Sequence, residues 1–305
     1  MIQRQPNPFD YLKKPSILQM GLTPVALEQL IQPFDDLLLS LFQEHKSRVL
    51  KKKPDVLQAN SGAQNALLEL QAFLQAHLSR YHGFDVVPAD PEDVSAHHLL
   101  AHISEWMPDD ICIIQPESEL VSDAGASGDD EFILSAVSVC SPSAWLPEEK
   151  FMQPISQIHA PVPGLEKQLL PKMNRFLTHL KPEYPVVRFN WSLQWGDALY
   201  RNPAVSDEPK AFPNNVGNLE DTVEIFYRTE RQVLLRLPIT GAIVFFIRTQ
   251  ISPLGELWGA SEGNDSEQTV SPALLINYIS RLPAEQRAYK NLDTILTTLQ
   301  QIRSD

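Results

Sequence analysis

Cysteine is nearly absent from this sequence of 305 residues. The two cysteines, Cys112 and Cys140, lie far apart, and no CxxC pair occurs. Two thiols cannot build a disulfide framework, and paired cysteines are the usual ligands of structural zinc and of iron–sulfur clusters. The sequence therefore argues against all three, and we expect both cysteines to be buried free thiols.

Long hydrophobic runs are also missing. A helix that spans a bilayer needs about 20 consecutive apolar residues, and no run approaches that length. The first residues, MIQRQPNPFDYLKK, place prolines and Asp10 where a signal peptide needs an unbroken apolar core. We therefore expect a soluble, cytoplasmic protein with no membrane partner.

Positive charge is scarce, with 25 Lys and Arg against 38 Asp and Glu and a formal net charge of −13. Such a surface repels phosphates, so nucleic acid is not an expected partner. The one basic run, residues 51–53, is predicted to be a solvated segment after a helix. The GxGxxG and P-loop patterns of nucleotide sites and the GxSxG elbow of serine hydrolases are absent as well.

The hydrophobic residues, 43% of the chain, follow two different periods. Helical spacing dominates the first third of the chain. It predicts one helix from Thr23-Pro24 to Leu50 with a kink near Pro33, a second over about 61–81 and a third over about 91–107. Alternation dominates beyond Pro108 and predicts strands at residues 111–115, 131–141, 185–195, 223–238 and 241–252. A helix over 165–180 lies between the second and third of these strands, and helices over 271–279 and 291–302 follow the last.

This order of elements predicts an α+β protein. Residues 1–107 would form an N-terminal helical layer packed on the sheet. Residues 108–305 would form an antiparallel sheet of about five strands with C-terminal helices. Together they would make one compact unit.

Three of the predicted strands each carry an arginine. Arg231 and Arg248 both lie among apolar residues, and Arg188 shares a strand face with Asn190 and Ser192. An unpaired guanidinium in such a place costs several kcal/mol, roughly, so each needs an anionic partner. That partner is either a carboxylate of the fold or a carboxylate-bearing ligand, and the pattern leaves both open. A cofactor with two propionates would suit such a set of arginines.

A histidine followed by two prolines precedes these three strands in the chain. In QIHAPVPG, residues 157–164, Pro161 and Pro163 fix φ on alternate residues just after His159. A neutral imidazole can ligate haem iron, although a single histidine is more often a hydrogen-bonded structural residue. Cys140, as a thiolate, is the competing axial candidate.

Five segments occur in an order that resembles a known family. They are DDICIIQ, the strand ending CSPSAW, QPISQIHAPVPG, RFNWSL and TERQVLLRLPITGAIVFFIRT. The order and spacing are similar to those of the haem-dependent oxidative N-demethylase family, which includes the haem subunit of dimethylamine monooxygenase. The resemblance runs from about Gly21 to Leu292.

The resemblance implies a PAS-like antiparallel sheet with N-terminal and C-terminal helical additions that binds one haem b. It also implies an enzyme that removes an N-methyl group from a small secondary amine with O₂ and releases formaldehyde. Electrons would come from a separate reductase that carries flavin and an iron–sulfur centre. Gln250 stands where the family commonly has an aromatic residue. If that aromatic residue lines the substrate pocket, the resemblance implies an amine other than dimethylamine as the substrate here.

Carried over by position, the family's IHAPVP histidine is His159, which becomes the predicted iron ligand. The family's NW motif holds Asn190 and Trp191, preceded by Arg188, and its ERQ motif holds Glu230, Arg231 and Gln232. We predict Glu230, which could hold the substrate ammonium, and Asn190 as catalytic residues. The predicted cofactor-binding residues are His159, Arg188, Arg231, Arg248, Trp191 and Gln232.

Two other functions fit the same pattern. One is a non-catalytic haem PAS module that senses a diatomic gas, and the other is a cofactor-free binding or assembly protein. A Soret band after haem reconstitution would separate the last from the others, and formaldehyde release would separate catalysis from sensing.

Overall fold

A seven-stranded antiparallel sheet forms the centre of the computed structural model. The structure describes residues 20–90, 94–120, 131–143, 145–163, 170–201, 225–258 and 272–304. The strands are β1 (Thr23–Pro24), β2 (Leu57–Ala59), β3 (Asp110–Pro116), β4 (Phe132–Ser138), β5 (Val186–Trp195), β6 (Ile225–Arg236) and β7 (Ile243–Pro253). They lie in the order β1-β5-β6-β7-β3-β4-β2. The antiparallel α+β prediction is confirmed, and β1 and β2 are short additions at the two edges.

Helices precede, interrupt and follow the sheet. They are α1 (Asp36–Lys52), α2 (Gln64–His82), α3 (Ala96–Ser104), α4 (Glu117–Leu120), α5 (Pro147–Lys150), α6 (Ile155–His159), α7 (Leu170–His179), α8 (Leu254–Trp258), α9 (Pro272–Arg281), α10 (Ala284–Tyr289) and α11 (Leu292–Ser304). Short 3₁₀ turns lie at Leu27–Gln29, Pro54–Val56 and Ser61–Ala63. No helix in the described part of the chain is long and apolar enough to cross a membrane.

The first predicted helix begins later than expected. Thr23 and Pro24 form the edge strand β1, and α1 starts only at Asp36, capped by the Asp35 side chain, which accepts from the Leu38 N–H at 2.8 Å. The helix-like spacing of Leu30 and Ile31 reflects their burial in the core. The prediction of a helix from Thr23-Pro24 is therefore wrong, because pairing and packing outweigh local spacing.

Alternation along the strands divides the sheet into two unlike faces. The face that we call the helical face is covered by α2 and α3 at one end and by α9 and α11 at the other. Four leucines of α2 form its stripe and are fully buried, each stabilising the fold by roughly 1.5–3 kcal/mol: Leu67, Leu70, Leu74 and Leu78.

The opposite face, which we call the site face, is apolar at one end and polar at the other. At the apolar end, Val186 and Leu234 pack with Ile155 of α6 and Leu177 of α7. At the polar end, the central strands β5 and β6 carry Arg188, Asn190, Ser192, Arg228, Glu230 and Gln232. Buried polar side chains on neighbouring strands need hydrogen-bond partners, either from the fold or from a ligand.

Charged groups are also buried where α1 meets the start of β3. The ammonium of Lys46 is buried and donates to the carbonyls of Ser104, Met107 and Asp109 at 2.7–2.9 Å. The carboxylate of Asp110 accepts from the N–H groups of Cys140 and Ser141 at 3.0 and 2.9 Å. Burial nevertheless raises the pKa of Asp110 to about 6.

This burial predicts a specific pH dependence of stability. Between pH 4 and 6 the folded protein holds a proton on Asp110 that the unfolded chain has released, so the free energy of unfolding falls as pH rises and levels off above 6. The expected fall is about 3 kcal/mol. Urea titrations should show that the free energy of unfolding of the wild type falls between pH 4 and 6 relative to that of Asp110→Asn. Parallel profiles would contradict the assignment, since histidines that titrate in the opposite sense are common to both.

Candidate functional site

Glu230 is held by three hydrogen bonds at the polar end of the site face. Its side chain is buried, yet three neighbours donate to it. Arg228 Nε lies 3.2 Å from Oε1, and Asn190 Nδ2 and Gln232 Nε2 lie 3.2 and 2.9 Å from Oε2. Asn190 stands directly opposite Glu230 in the β5–β6 register. The carboxylate is thus fixed in one position by its three donors.

Arg228 is the principal partner of Glu230 and was missed by the sequence analysis. Its side chain is fully buried. Besides Glu230, it donates to the carbonyl of Leu199 at 2.9 Å, to that of Ser141 and to Thr249 Oγ1 at 3.3 Å. Burial lowers its pKa and the charge of Glu230 opposes that effect. The available signal was the i, i+2 spacing, which places Arg228 and Glu230 on one strand face.

Unpaired polar atoms lie beside this carboxylate along β5. Among the described residues, Arg188 Nε, Ser192 Oγ and Gln194 Oε1 are buried without a hydrogen-bond partner. All three residues belong to the site face by alternation. Native proteins rarely leave such atoms unsatisfied, so this strand face is suited to a polar or anionic ligand. Burial lowers the pKa of Arg188 while Glu230 raises it.

His159 is the last residue of α6, which packs on the same face through Ile155. Its Nδ1–H donates to the carbonyl of Ile155 at 2.9 Å, since a carbonyl can only accept. Burial lowers the pKa of the imidazole, and the positive charge of Arg188 contributes in the same direction. A neutral ring with Nδ1 protonated leaves the Nε2 lone pair available for a metal, as in most metal-ligating histidines.

The predicted residues Arg231, Arg248 and Trp191 lie on the other side of the sheet. Arg231 faces Arg248 in the β6–β7 register, on the helical face. Arg231 donates to the carbonyls of Leu30, at 2.9 Å, and Gln29. The sheet therefore separates the three arginines expected from the sequence. Arg188 pairs with Gln232, the residue after Arg231, and successive strand residues lie on opposite faces.

Arg248 and Trp191 have partners within the fold. Arg248 forms a buried ion pair with Asp109, with Nε 2.9 Å from Oδ2. Trp191 stacks on Tyr227 with ring centroids 6.0 Å apart, and its carbonyl accepts from Lys290 Nζ at 2.7 Å. Of the two partners considered for Arg248, a carboxylate of the fold or a ligand, the structure shows a carboxylate of the fold, Asp109.

Lys290 is a second residue that the sequence analysis did not select. Its ammonium lies 4.9 Å from the centroid of the Trp191 ring, at the edge of β5. Burial lowers the pKa of Lys290 to about 8, with the charge of Glu230 opposing and that of Arg188 adding to the effect. Lys290, in the turn between α10 and α11, is therefore close enough to interact with the charges of Glu230 and Arg188.

Comparison with known protein families decides the relationship. The family model of the haem-dependent oxidative N-demethylase, alpha subunit-like proteins matches residues 21–299. The chain belongs to this family. The motifs noted in the sequence fall within the matched residues.

The described residues of this N-demethylase family member fit a haem. His159 offers a neutral imidazole with a free Nε2, and Arg188 has an unsatisfied donor on the same face. The other axial candidate fits poorly. Cys140 is fully buried, and burial raises its pKa to about 12, so the thiolate that iron requires is disfavoured.

The separation of the arginines leads to a prediction about their roles in this family member. Arg248→Met should lower the free energy of unfolding by roughly 3–5 kcal/mol, because it leaves Asp109 buried without its counter-charge. It should not change haem affinity. Arg188→Met should weaken haem binding and leave the free energy of unfolding nearly unchanged. Urea unfolding and haem titration measure the two effects, and weaker haem binding by a well-folded Arg248→Met protein would return Arg248 to the site.

Proposed function

We propose that the protein is a haem-dependent monooxygenase that oxidatively removes an N-methyl group from a small secondary amine of the dimethylamine type and releases formaldehyde. One observation carries the proposal: in a member of the N-demethylase family, a neutral His159 and a fixed Glu230 belong to the same face of the sheet. An iron ligand and an anionic amine-binding group are the two functions that this reaction needs from the protein.

His159 would hold the iron of haem b through Nε2, and the Ile155 carbonyl fixes the tautomer of the imidazole. Arg188 donates to a carboxylate of the cofactor, which would satisfy its unpaired Nε. Haem supplies the reductive activation of O₂ and the oxidation of the N-methyl carbon. We leave Arg231, Arg248 and Trp191 out of the proposed site, since they contact other groups on the helical face.

Glu230 binds the amine. A secondary alkyl amine is an ammonium ion at neutral pH, and a buried carboxylate attracts it far more strongly than an exposed one does. Asn190 and Gln232 hold the carboxylate in position, and Arg228 forms a buried ion pair with it at 3.2 Å. Glu230 and Asn190 are thus the proposed substrate-binding and positioning pair.

The overall reaction requires an outside electron source. One oxygen atom of O₂ enters the N-methyl C–H bond and the other leaves as water, which consumes two electrons and two protons. The hydroxymethyl amine then breaks its C–N bond to give the demethylated amine and formaldehyde. The alpha subunit description of the family implies further subunits, and we propose a reductase with flavin and an iron–sulfur centre as the electron donor.

The fold and domain proposals rest on topology. The five long strands lie in the order β5-β6-β7-β3-β4, with α5, α6 and α7 inserted between β4 and β5. This order supports the proposal of a PAS-like sheet over residues 108–305. One buried cluster joins α2 and α3 to the sheet, which supports a helical layer over residues 1–107 that packs on it.

The test begins with haemin titrated into the purified protein. We expect a Soret band and, with the reductase and dimethylamine present, one formaldehyde per turnover. A Soret band without formaldehyde from any small methylamine would favour the gas sensor. The absence of a Soret band would favour a cofactor-free protein of the same family.

A further inference from the structure

Helix α1 is unusual because none of its apolar residues is fully buried, although Leu50 packs half-buried against the core. Its two buried residues are His45 and Lys46. Leu37 and Leu41 are 69% and 54% exposed, although they lie four residues apart on one stripe. An amphipathic helix normally turns such leucines to the core, so this stripe is a candidate contact surface.

The same stripe continues into positive charge. Glu44, Arg48 and Lys52 follow Leu41 at helical spacing, and all three are exposed. Glu44 lies 4.0 Å from Arg48, but both side chains are about two-thirds exposed, so this pair contributes little. The net effect is a helix face that is apolar at its start and cationic at its end.

A cleft of about 510 Å³ adjoins the cationic end of α1. The last turns of the helix form one wall and residues 197–200, which follow β5, form the other. Among its described lining residues, Arg48, Lys52 and Lys53 outnumber the one carboxylate, that of Asp197, and Lys53 Nζ lies 5.5 Å from the centroid of the Tyr200 ring. A cleft of this sign, on a chain with a net charge of −13, attracts acidic groups.

The cleft is connected to the proposed site through Arg228. Leu199 lines the cleft, and its carbonyl accepts from Arg228 Nη1 at 2.9 Å. Arg228 in turn contacts Glu230 at 3.2 Å. His45, also in the cleft wall, donates to the Cys140 carbonyl at 2.8 Å. A molecule bound in the cleft would therefore lie two residue contacts from Glu230.

We propose that this surface, formed by the α1 stripe and the adjoining cleft, is the docking site of the electron-supplying partner subunit. The partner presents acidic side chains to Arg48, Lys52 and Lys53 and apolar side chains to Leu37 and Leu41. The inference rests on the proposed function, because that reaction consumes electrons. With only two separated cysteines, the chain cannot hold an iron–sulfur cluster by itself. The contact with Arg228 favours this surface, since it places the partner close to the reaction.

The test uses the complete haem-loaded protein and the reductase of its own assembly. Stopped-flow spectroscopy follows reduction of the Soret band. Arg48→Glu with Lys52→Glu should slow reduction by the reductase about tenfold or more and weaken its dependence on salt, because both act on the encounter rate. Leu37→Ser with Leu41→Ser should raise the reductase concentration needed for half-maximal rate. Reduction by dithionite should remain unchanged in both.

The matched control reverses two exposed charges elsewhere, Arg80→Glu on α2 with Lys181→Glu before β5, and changes the net charge by the same amount. Equal slowing of this control, or normal reduction of the Arg48 and Lys52 variant, would overturn the docking site. So would self-association that is lost in the Leu37 and Leu41 variant, since a second copy would then occupy the surface. If no Soret band forms, the proposed function fails, and sedimentation of the reductase with each variant still tests docking.

Discussion

Replacing His159 with alanine is expected to abolish the Soret band of the haem-reconstituted protein. The Nε2 of His159 is the proposed iron ligand, and α6 carries no other histidine. Loss of an outer partner of a metal ligand typically weakens metal binding by roughly 10- to 100-fold, and loss of the ligand itself should cost more. A haemin titration followed in the Soret region measures the effect directly.

The lost ligand should be replaceable from solution. His159→Gly leaves a cavity in which added imidazole can restore the band at the wild-type wavelength. Cys140→Ser is the matched control, because its thiol is buried and protonated, and we expect it to keep the wild-type spectrum. A His159→Ala protein with an unchanged spectrum, or a Cys140→Ser protein without a Soret band, would move the iron to another ligand.

Replacing Glu230 with glutamine is expected to lower kcat/KM for the amine by about 10²–10³-fold, the range seen when one preorganised electrostatic group is removed from an active site. The substitution keeps the shape of the side chain and removes its charge. Haem binding should persist, because Glu230 has no proposed contact with the iron or its ligand. Steady-state formaldehyde release, together with the amine-induced change in the Soret band, separates substrate binding from turnover.

Glu230→Gln also leaves Arg228 buried without its counter-charge, which can destabilise the fold by several kcal/mol, roughly. Glu230→Asp provides the check, since it keeps the charge and draws it back from the site by one methylene group. Gln232→Ala is the control for loss of a single hydrogen bond and should have a much smaller effect. Full activity of a folded, haem-loaded Glu230→Gln protein would exclude this carboxylate from amine binding.

Much of the fold could be predicted from local pattern. The alternation in β5, β6 and β7 gave both the strands and the residues that share each face, and α2 and β3 lie close to their predicted limits. These elements succeed because each buries a whole stripe or face, so one period runs through the segment. The helix predicted to start at Thr23-Pro24 was wrong there, because these two residues form edge strand β1, which depends on pairing with residues 186 and 187 of β5.

The candidate site shows the same division. His159, Asn190 and Glu230 were selected from the sequence, and the last two are hydrogen-bonded partners in the structure. Arg228 was overlooked because a charge next to polar residues looks solvated in a sequence, whereas here it is fully buried. Lys290 comes from a helix turn about 60 residues beyond Glu230, and no local signal joins the two.

By itself, the sequence determined the parity of each strand residue, the hydrogen-bonding capacity of each side chain and the family. Only the tertiary structure decided which face of the sheet the helices cover. That choice gave Arg231 the carbonyls of residues 29 and 30 and gave Arg248 the carboxylate of Asp109, all on the helical face, and it left Arg188 Nε without a partner on the face of Glu230. The physical reason is that alternation fixes which residues share a face, while the partner of a buried charge depends on contacts between segments far apart in the chain.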